Sequence, residues 1–108
     1  MSTHSVYGVI YTQTAQDDLE QIALFYAQTA DLTVVELILG RIDSAVMTLE
    51  QMPRRCQAVQ FDTKGRDIRK LSIPKTPIIA YFEIIQQTVY ILKIEHGKAD
   101  QRHLFEYL

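Results

Sequence analysis

Apolar and polar positions follow one another in changing rhythms along these 108 residues, and each rhythm predicts a different element. Val6 to Tyr11 is a short β-branched and aromatic run interrupted by Gly8, which predicts a first strand. Leu19, Ile22, Ala23 and Tyr26 then recur at i, i+3, i+4 and i+7, the stripe of an amphipathic helix from Asp17 to about Thr29. Thr14-Ala15-Gln16-Asp17 stands at capping-box spacing, a signal that the helix begins there. Thr33-Val34-Val35-Glu36 repeats the box after the short Ala30-Asp31-Leu32 segment, so a second, antiparallel helix follows almost at once. Its apolar face is Val35, Ile38, Ile42, Ala45, Val46 and Leu49, with Glu36, Gly40, Asp43 and Glu50 opposite, and Pro53 is expected to end it.

Arg54 to Gly65 is polar and weakly patterned, a loop with a brief extended piece at Val59-Gln60-Phe61. Three strands are expected beyond it. Ile68 to Ile73 leads into Pro74-Lys75-Thr76-Pro77, whose prolines place this connection at a sheet margin. Ile78 to Ile85 and Thr88 to Glu95 flank Gln86-Gln87, the length of a tight hairpin without the favoured Asn-Gly chemistry. Strict alternation puts Tyr90, Leu92, Ile94 and His96 on one face of the last strand and Val89, Ile91, Lys93 and Glu95 on the other. His96 therefore reads as a structural histidine that ends the more apolar row. The fold class is α+β: a strand, a helical hairpin and a three-stranded antiparallel meander sharing one twisted sheet, in a single domain spanning 1–108.

Composition narrows the function classes. A net charge of −2 weighs against a surface that grips nucleic acid throughout, although Arg54-Arg55, Lys64-Gly65-Arg66 and Arg69-Lys70 form local basic patches. Cys56 is the only cysteine, and no basic segment followed by an apolar run opens the chain, so a reducing cytoplasm is the expected compartment. The longest apolar candidate, Pro77 to Ile85, is cut by Glu83 and falls short of the roughly 18–20 residues a membrane helix needs, so no membrane partner is expected. No metal-ligand spacing, phosphate-binding glycine loop or nucleophile elbow occurs, and neither a metal nor a cofactor is expected.

The ordered positions Ala15-x-x-Asp18-Leu19-x-x-Ile22-x-x-x-Tyr26, Ile42-x-x-Ala45-x-x-x-Leu49-x-x-x-Pro53, Arg69-x-Leu71-x-Ile73, Ile79-x-Tyr81 and Ile91-Leu92-x-Ile94-x-His96-Gly97 carry a resemblance. Taken together they resemble the RelE/ParE toxin superfamily of bacterial toxin–antitoxin modules, and most closely its ParE branch, whose last strand tends to end in His-Gly and a basic residue, here Lys98. The resemblance implies a toxin held inactive by a cognate antitoxin, whose flexible segment folds along the toxin's helical hairpin and sheet in a hetero-oligomer that reaches operator DNA only through the antitoxin. Leu19, Ile22, Tyr26, Phe105 and Tyr107 are the residues expected to meet it; the apolar end Leu104 to Leu108 is too greasy for an idle terminus and is expected to dock.

The ParE branch poisons DNA gyrase, which demands a binding surface. The RelE-like branch cuts messenger RNA on the ribosome, which demands groups that move protons and steady a charged phosphate. Relatives with that activity set a basic residue where this chain has Pro77 and Ile78, and follow with a histidine or tyrosine pair where His96 is followed by Gly97. No catalytic residue is assigned, and gyrase is the expected target, with ribosome-dependent ribonuclease as the alternative. A third reading, a nontoxic descendant that still binds antitoxin, stays open because an aromatic is missing near Pro77 and Cys56 stands where relatives usually carry Gly. The target-binding candidates are Arg66, Arg69, Lys70, His96 and Lys98, cations and a histidine at strand ends and loops.

Overall fold

The computed structural model describes residues 6–96, so Lys98, Phe105, Tyr107 and the apolar end lie outside the described residues. Strand β1 (Gly8–Tyr11) turns at Thr12 into helix α1 (Gln13–Thr29). Thr12 makes this turn itself: its backbone is extended, its hydroxyl donates to the Ile91 carbonyl at 2.7 Å, and its oxygen accepts from the Ala15 N–H at 3.3 Å. The cap therefore stands at Thr12, two residues before the predicted Thr14, and Thr14 lies inside the helix. Helix α2 (Leu32–Met47) is displaced in the same direction, because Asp31 accepts from the Val34 N–H at 3.0 Å and caps the helix ahead of Thr33. In both cases a better-placed oxygen on an extended residue satisfies an orphan amide earlier.

Helix α2 ends before reaching Pro53. It tightens into a 3-10 turn at Thr48–Glu50, and Met52 takes a left-handed conformation (φ 51°) ahead of a second such turn at Pro53–Arg55. Arg55 then reaches back, donating to the carbonyls of Gln51 at 2.9 Å and Met52 at 3.2 Å and to the Thr48 hydroxyl at 2.7 Å. These bonds hold the segment between the two 3-10 turns against Arg55.

Strands β2 (Ile68–Ser72), β3 (Ile78–Ile85) and β4 (Thr88–His96) form the expected antiparallel meander, and β1 adds to it in parallel against β4, giving the order β1-β4-β3-β2. The β2–β3 turn is fixed by Thr76, whose hydroxyl donates to Ile73 and accepts from Ile78. At the hairpin tip Gln86 adopts φ 55°, the conformation Asn or Gly would take more cheaply. The extended piece before β2 centres on Ala58 rather than on Val59 to Phe61: Lys70 donates to Gln57, and Val59 donates to Ile68.

Strict alternation fails in β4. Phe82 pairs with Ile91 and Tyr81 with Lys93, so Leu92 is an extra residue, a bulge. Beyond it the faces exchange, and Val89, Ile91 and Ile94 all bury on the helix-covered side, each no more than 2% exposed. His96 thus follows Ile94 towards α1, while Lys93 and Tyr81 share the other face, the reverse of the sequence expectation that grouped Ile94 with Tyr90.

The core joins Ile22 of α1, Ile38, Ile42, Ala45 and Val46 of α2, and Ile78, Ala80, Phe82 and Ile84 of β3. Ile42 is fully buried between helix and sheet, and Ile42→Ala is expected to lower unfolding free energy by about 2–5 kcal/mol. Two residues away, on the exposed side of α2, the sign reverses: a Cβ at Gly40 meets nothing within 4 Å, so Gly40→Ala should stabilise by about 0.5–1 kcal/mol. Urea unfolding of the two variants beside the parent chain checks both.

Candidate binding site

Strand β1 pairs with β4 only as far as Tyr11 opposite Ile91, yet β4 continues to His96. Over that last stretch the neighbour of β4 is a helix. Asp18, on the inner side of α1, accepts from the Ile94 N–H at 2.9 Å through one oxygen and from Lys93 Nζ at 2.9 Å through the other. A side-chain carboxylate thereby takes the place of a missing strand. The space between helix and strand end is a groove of about 410 Å³ lined by Asp18, Gln21, Ile22 and Phe25 of α1 and by Lys93 to His96 of β4.

An aromatic cluster forms one end of the groove. The His96 ring stacks on Tyr26 (centroids 6.3 Å, planes 21° apart) and meets Phe25 edge to face at 5.7 Å; Phe25 and Tyr26 meet edge to face at 5.1 Å. Phe25 is still 49% exposed, so its orientation is held by neighbours while much of its surface faces solvent. At the β4 wall, burial pushes the Glu95 carboxyl up; Lys93 opposes this, Asp18 reinforces it and His96 opposes it. One Glu95 oxygen, Oε2, is buried with no hydrogen-bond partner among the described residues. Tyr81, which is 2% exposed, has its phenol pushed up by burial and by the charge of Glu95.

The residues expected to meet a target do not converge. Arg66 holds Glu83 bidentately, and Arg69 donates to Asp67 at 2.9 Å and to the carbonyls of Arg54 at 3.0 Å and Cys56 at 2.8 Å, fastening the loop to β2. Lys70, half-buried, lies on the other side of β2. His96 is two strands across and several residues along from Arg69, a separation on the order of 15 Å from sheet spacings. Lys98 is outside the described residues.

Of the expected antitoxin contacts, Ile22 is 6% exposed within the core, and Leu19 and Tyr26 pack against it half-buried. The helix presents Leu24 (53% exposed) and Phe25 instead, residues that sequence reasoning passed over. For Phe25 a signal was available: with Asp18 and Ile22 it stands at i, i+4 and i+7, a stripe that borders the core one and shares Ile22 with it. Lys93 and Glu95 were less legible, because their placement depends on the bulge.

A second groove, about 570 Å³, runs outside α2 between Leu37, Gly40, Ser44 and the β2–β3 turn, where Arg41 donates to the Lys75 carbonyl at 3.2 Å. The Cys56 thiol is half-buried and pushed up by burial against the opposing charges of Arg55 and Arg69, which favours its neutral form. Among the described residues no three His, Cys, Asp or Glu side chains gather to hold a metal ion, and no helix is long and apolar enough to cross a membrane.

The architecture, a helical hairpin against a small mixed sheet, is that of RelE/ParE toxins. The toxin–antitoxin complex RelBE2 of Mycobacterium tuberculosis is similar over 88% of this chain and 94% of that one, with a TM-score of 0.54 and 20% identity. The chromosomal ParDE system of P. aeruginosa is similar over 85% and 97%, with a TM-score of 0.73 and 21% identity. At such identities the likeness shows the fold. No curated protein matches the sequence significantly. Family membership comes from the sequence model of the ParE toxin of type II toxin–antitoxin system, parDE, which matches residues 9–101: the chain belongs to the ParE toxin family.

The raised Glu95 carboxyl makes a testable pH effect. A group held above its ordinary value of 4.5 contributes stability that is fully present at low pH and is lost as pH rises through the folded-state value. Glu95→Gln, which cannot ionise, escapes that loss. Its stability relative to the parent chain should therefore improve between pH 4 and pH 7, by less than about 1 kcal/mol because solvent screens the partly exposed carboxylate. Urea midpoints at both pH values test this; an equal difference at the two would show that Glu95 is not the titrating group.

Proposed function

We propose that this ParE-family chain is the toxin of a type II toxin–antitoxin module, that it acts in the cytoplasm on DNA gyrase, and that a cognate antitoxin neutralises it and carries the pair to operator DNA. The observation that carries the binding reading is how the charged and titratable groups are engaged. Arg66 is held by Glu83, Arg69 by Asp67 and two carbonyls, Lys93 by Asp18, and His96 stands in an aromatic cluster. Acid–base cleavage of RNA draws on groups that converge on one phosphate. Poisoning by binding draws on shaped surface, and the chain offers two grooves flanking its helical hairpin with half-exposed Phe25, Leu24 and Leu37 beside them. The family match over residues 9–101 supplies the class, and the similarity to the ParDE system supports an antitoxin partner.

Purified protein incubated with gyrase, ATP and supercoiled plasmid should accumulate linear, gyrase-linked DNA, and expression without antitoxin should give filamentous cells with an induced DNA-damage response. Intact gyrase turnover together with cut transcripts on ribosomes would replace this reading with the ribonuclease one. Normal growth with retained antitoxin binding would identify a nontoxic descendant.

A further inference from the structure

We propose that the apolar segment Leu104 to Leu108 folds back on its own chain and packs on the face of the sheet that the helices leave open, over Ile79 and Tyr81 beside Glu95. Phe105 and Tyr107 then belong to the fold of the toxin itself and are withdrawn from the surfaces a partner can reach.

Strand pairing defines that face. Residues opposite one another on paired strands share a side, so Ser72, Ile79 and Glu95 form one row and Lys70, Tyr81 and Lys93 the next. The alternate residues of β3, Ile78, Ala80 and Phe82, pack towards the helices, which puts both rows on the opposite side. That side is not bare: Ile68 and Tyr81 are each 2% exposed although neither joins the core between helices and sheet. Ile79 is half-buried, and Glu95 Oε2 is shut off from water. Among the described residues, the loop ahead of β2 meets the sheet at its β2 edge, where Val59 donates to Ile68 and Lys70 to Gln57. Glu95 stands on β4, two strands across and about 10 Å away by sheet spacing, so this end of the face takes a second cover.

Position and composition name the occupant. The described chain stops at His96, opposite Ile78 and one residue beyond the row of Ile79 and Glu95. Gly97 follows, a residue that reverses the chain at little steric cost, and Lys98 to His103 form a largely polar spacer. At helical spacing Leu104, Phe105, Tyr107 and Leu108 share one face and Arg102, His103 and Glu106 the other. A helix from Asp100 to Leu108 would measure about 14 Å, enough to cross both rows. An apolar cover also suits Glu95, whose carboxyl is raised chiefly by burial, with Lys93 and His96 opposing and Asp18 adding to it. In its neutral form it leaves no charge for the cover to bury.

The test uses the full-length chain without any partner. Benzoylphenylalanine in place of Phe105, irradiated in a mixture of isotope-labelled and unlabelled protein, should attach within its own chain at Ile79, Tyr81 or Glu95. Leu104→Ser combined with Leu108→Ser should lower the thermal midpoint by about 4–8 °C. Leu24→Ser, on the exposed side of α1, should shift it by less than half as much. In the double variant the Glu95 carboxyl, followed by carbon NMR, should titrate closer to its ordinary 4.5, a change that general loss of stability does not produce. Attachment to α1 or α2, attachment between chains or no attachment overturns the proposal, the second in favour of a swapped dimer. So does a double variant that melts with the parent chain and loses only affinity for the polypeptide encoded beside its gene, which would make the segment an antitoxin contact. Should the double variant fail to fold, the crosslink alone decides.

Discussion

Thr12 is the joint on which the rest of the molecule turns. It is the residue at which β1 stops pairing, and its hydroxyl and amide both hold the Ile91 carbonyl while its side-chain oxygen starts α1. Because the chain leaves the sheet there, α1 must run along the part of β4 that β1 does not reach. Asp18 then falls beside Ile94, and Ile22 one turn and Phe25 two turns further follow on the same side. The bulge at Leu92 completes the geometry from the opposite wall, rotating His96 towards Phe25 and Tyr26. Neither feature alone would make the groove.

Magnitudes indicate which contacts hold this corner. An ion pair such as Asp18 with Lys93, partly open to solvent, adds on the order of 0–1 kcal/mol. The same carboxylate also satisfies the Ile94 amide at a strand edge with no neighbouring strand, and an amide left unsatisfied there would cost about 1–3 kcal/mol. Asp18 is therefore chiefly a substitute for β1, and its pairing with Lys93 is the lesser contribution. Arg69 follows the same logic at the far edge of the sheet, where two backbone carbonyls outweigh its partner Asp67 in number and tie the preceding loop to β2.

Much of this was legible in the amino-acid sequence. The α2 stripe from Ile38 to Leu49 buries as its period requires, and the runs beginning at Ile68, Ile78 and Thr88 became strands within a residue or two. The helix starts were displaced because Thr12 and Asp31, each a sound cap, stand just before the Thr-x-x-acid boxes that drew attention. The site was harder to read. A bulge is a pairing event between strands, and nothing local at Leu92 announces it, so the faces assigned to Ile94 and His96 reversed. Basic residues clustered in sequence were expected to gather on one surface, but Arg66 is engaged by Glu83, which only the folded sheet brings near, and Arg69 by its sequence neighbour Asp67.

The short β1 deserves a functional explanation on physical grounds. Were β1 to continue alongside Lys93 and Glu95, the sheet would gain ladder bonds and Asp18 would not be needed at Ile94, but α1 would begin farther along and the groove would be filled by backbone. The chain instead leaves part of β4, the longest strand among the described residues, open beside a helix whose charged residues are all acidic. Leaving Glu95 Oε2 without a donor and Phe25 half-exposed costs stability in the isolated protein. Among the described residues that oxygen is the one buried side-chain polar atom left without a partner, so the stability the fold gives up with a short β1 is given up at this corner.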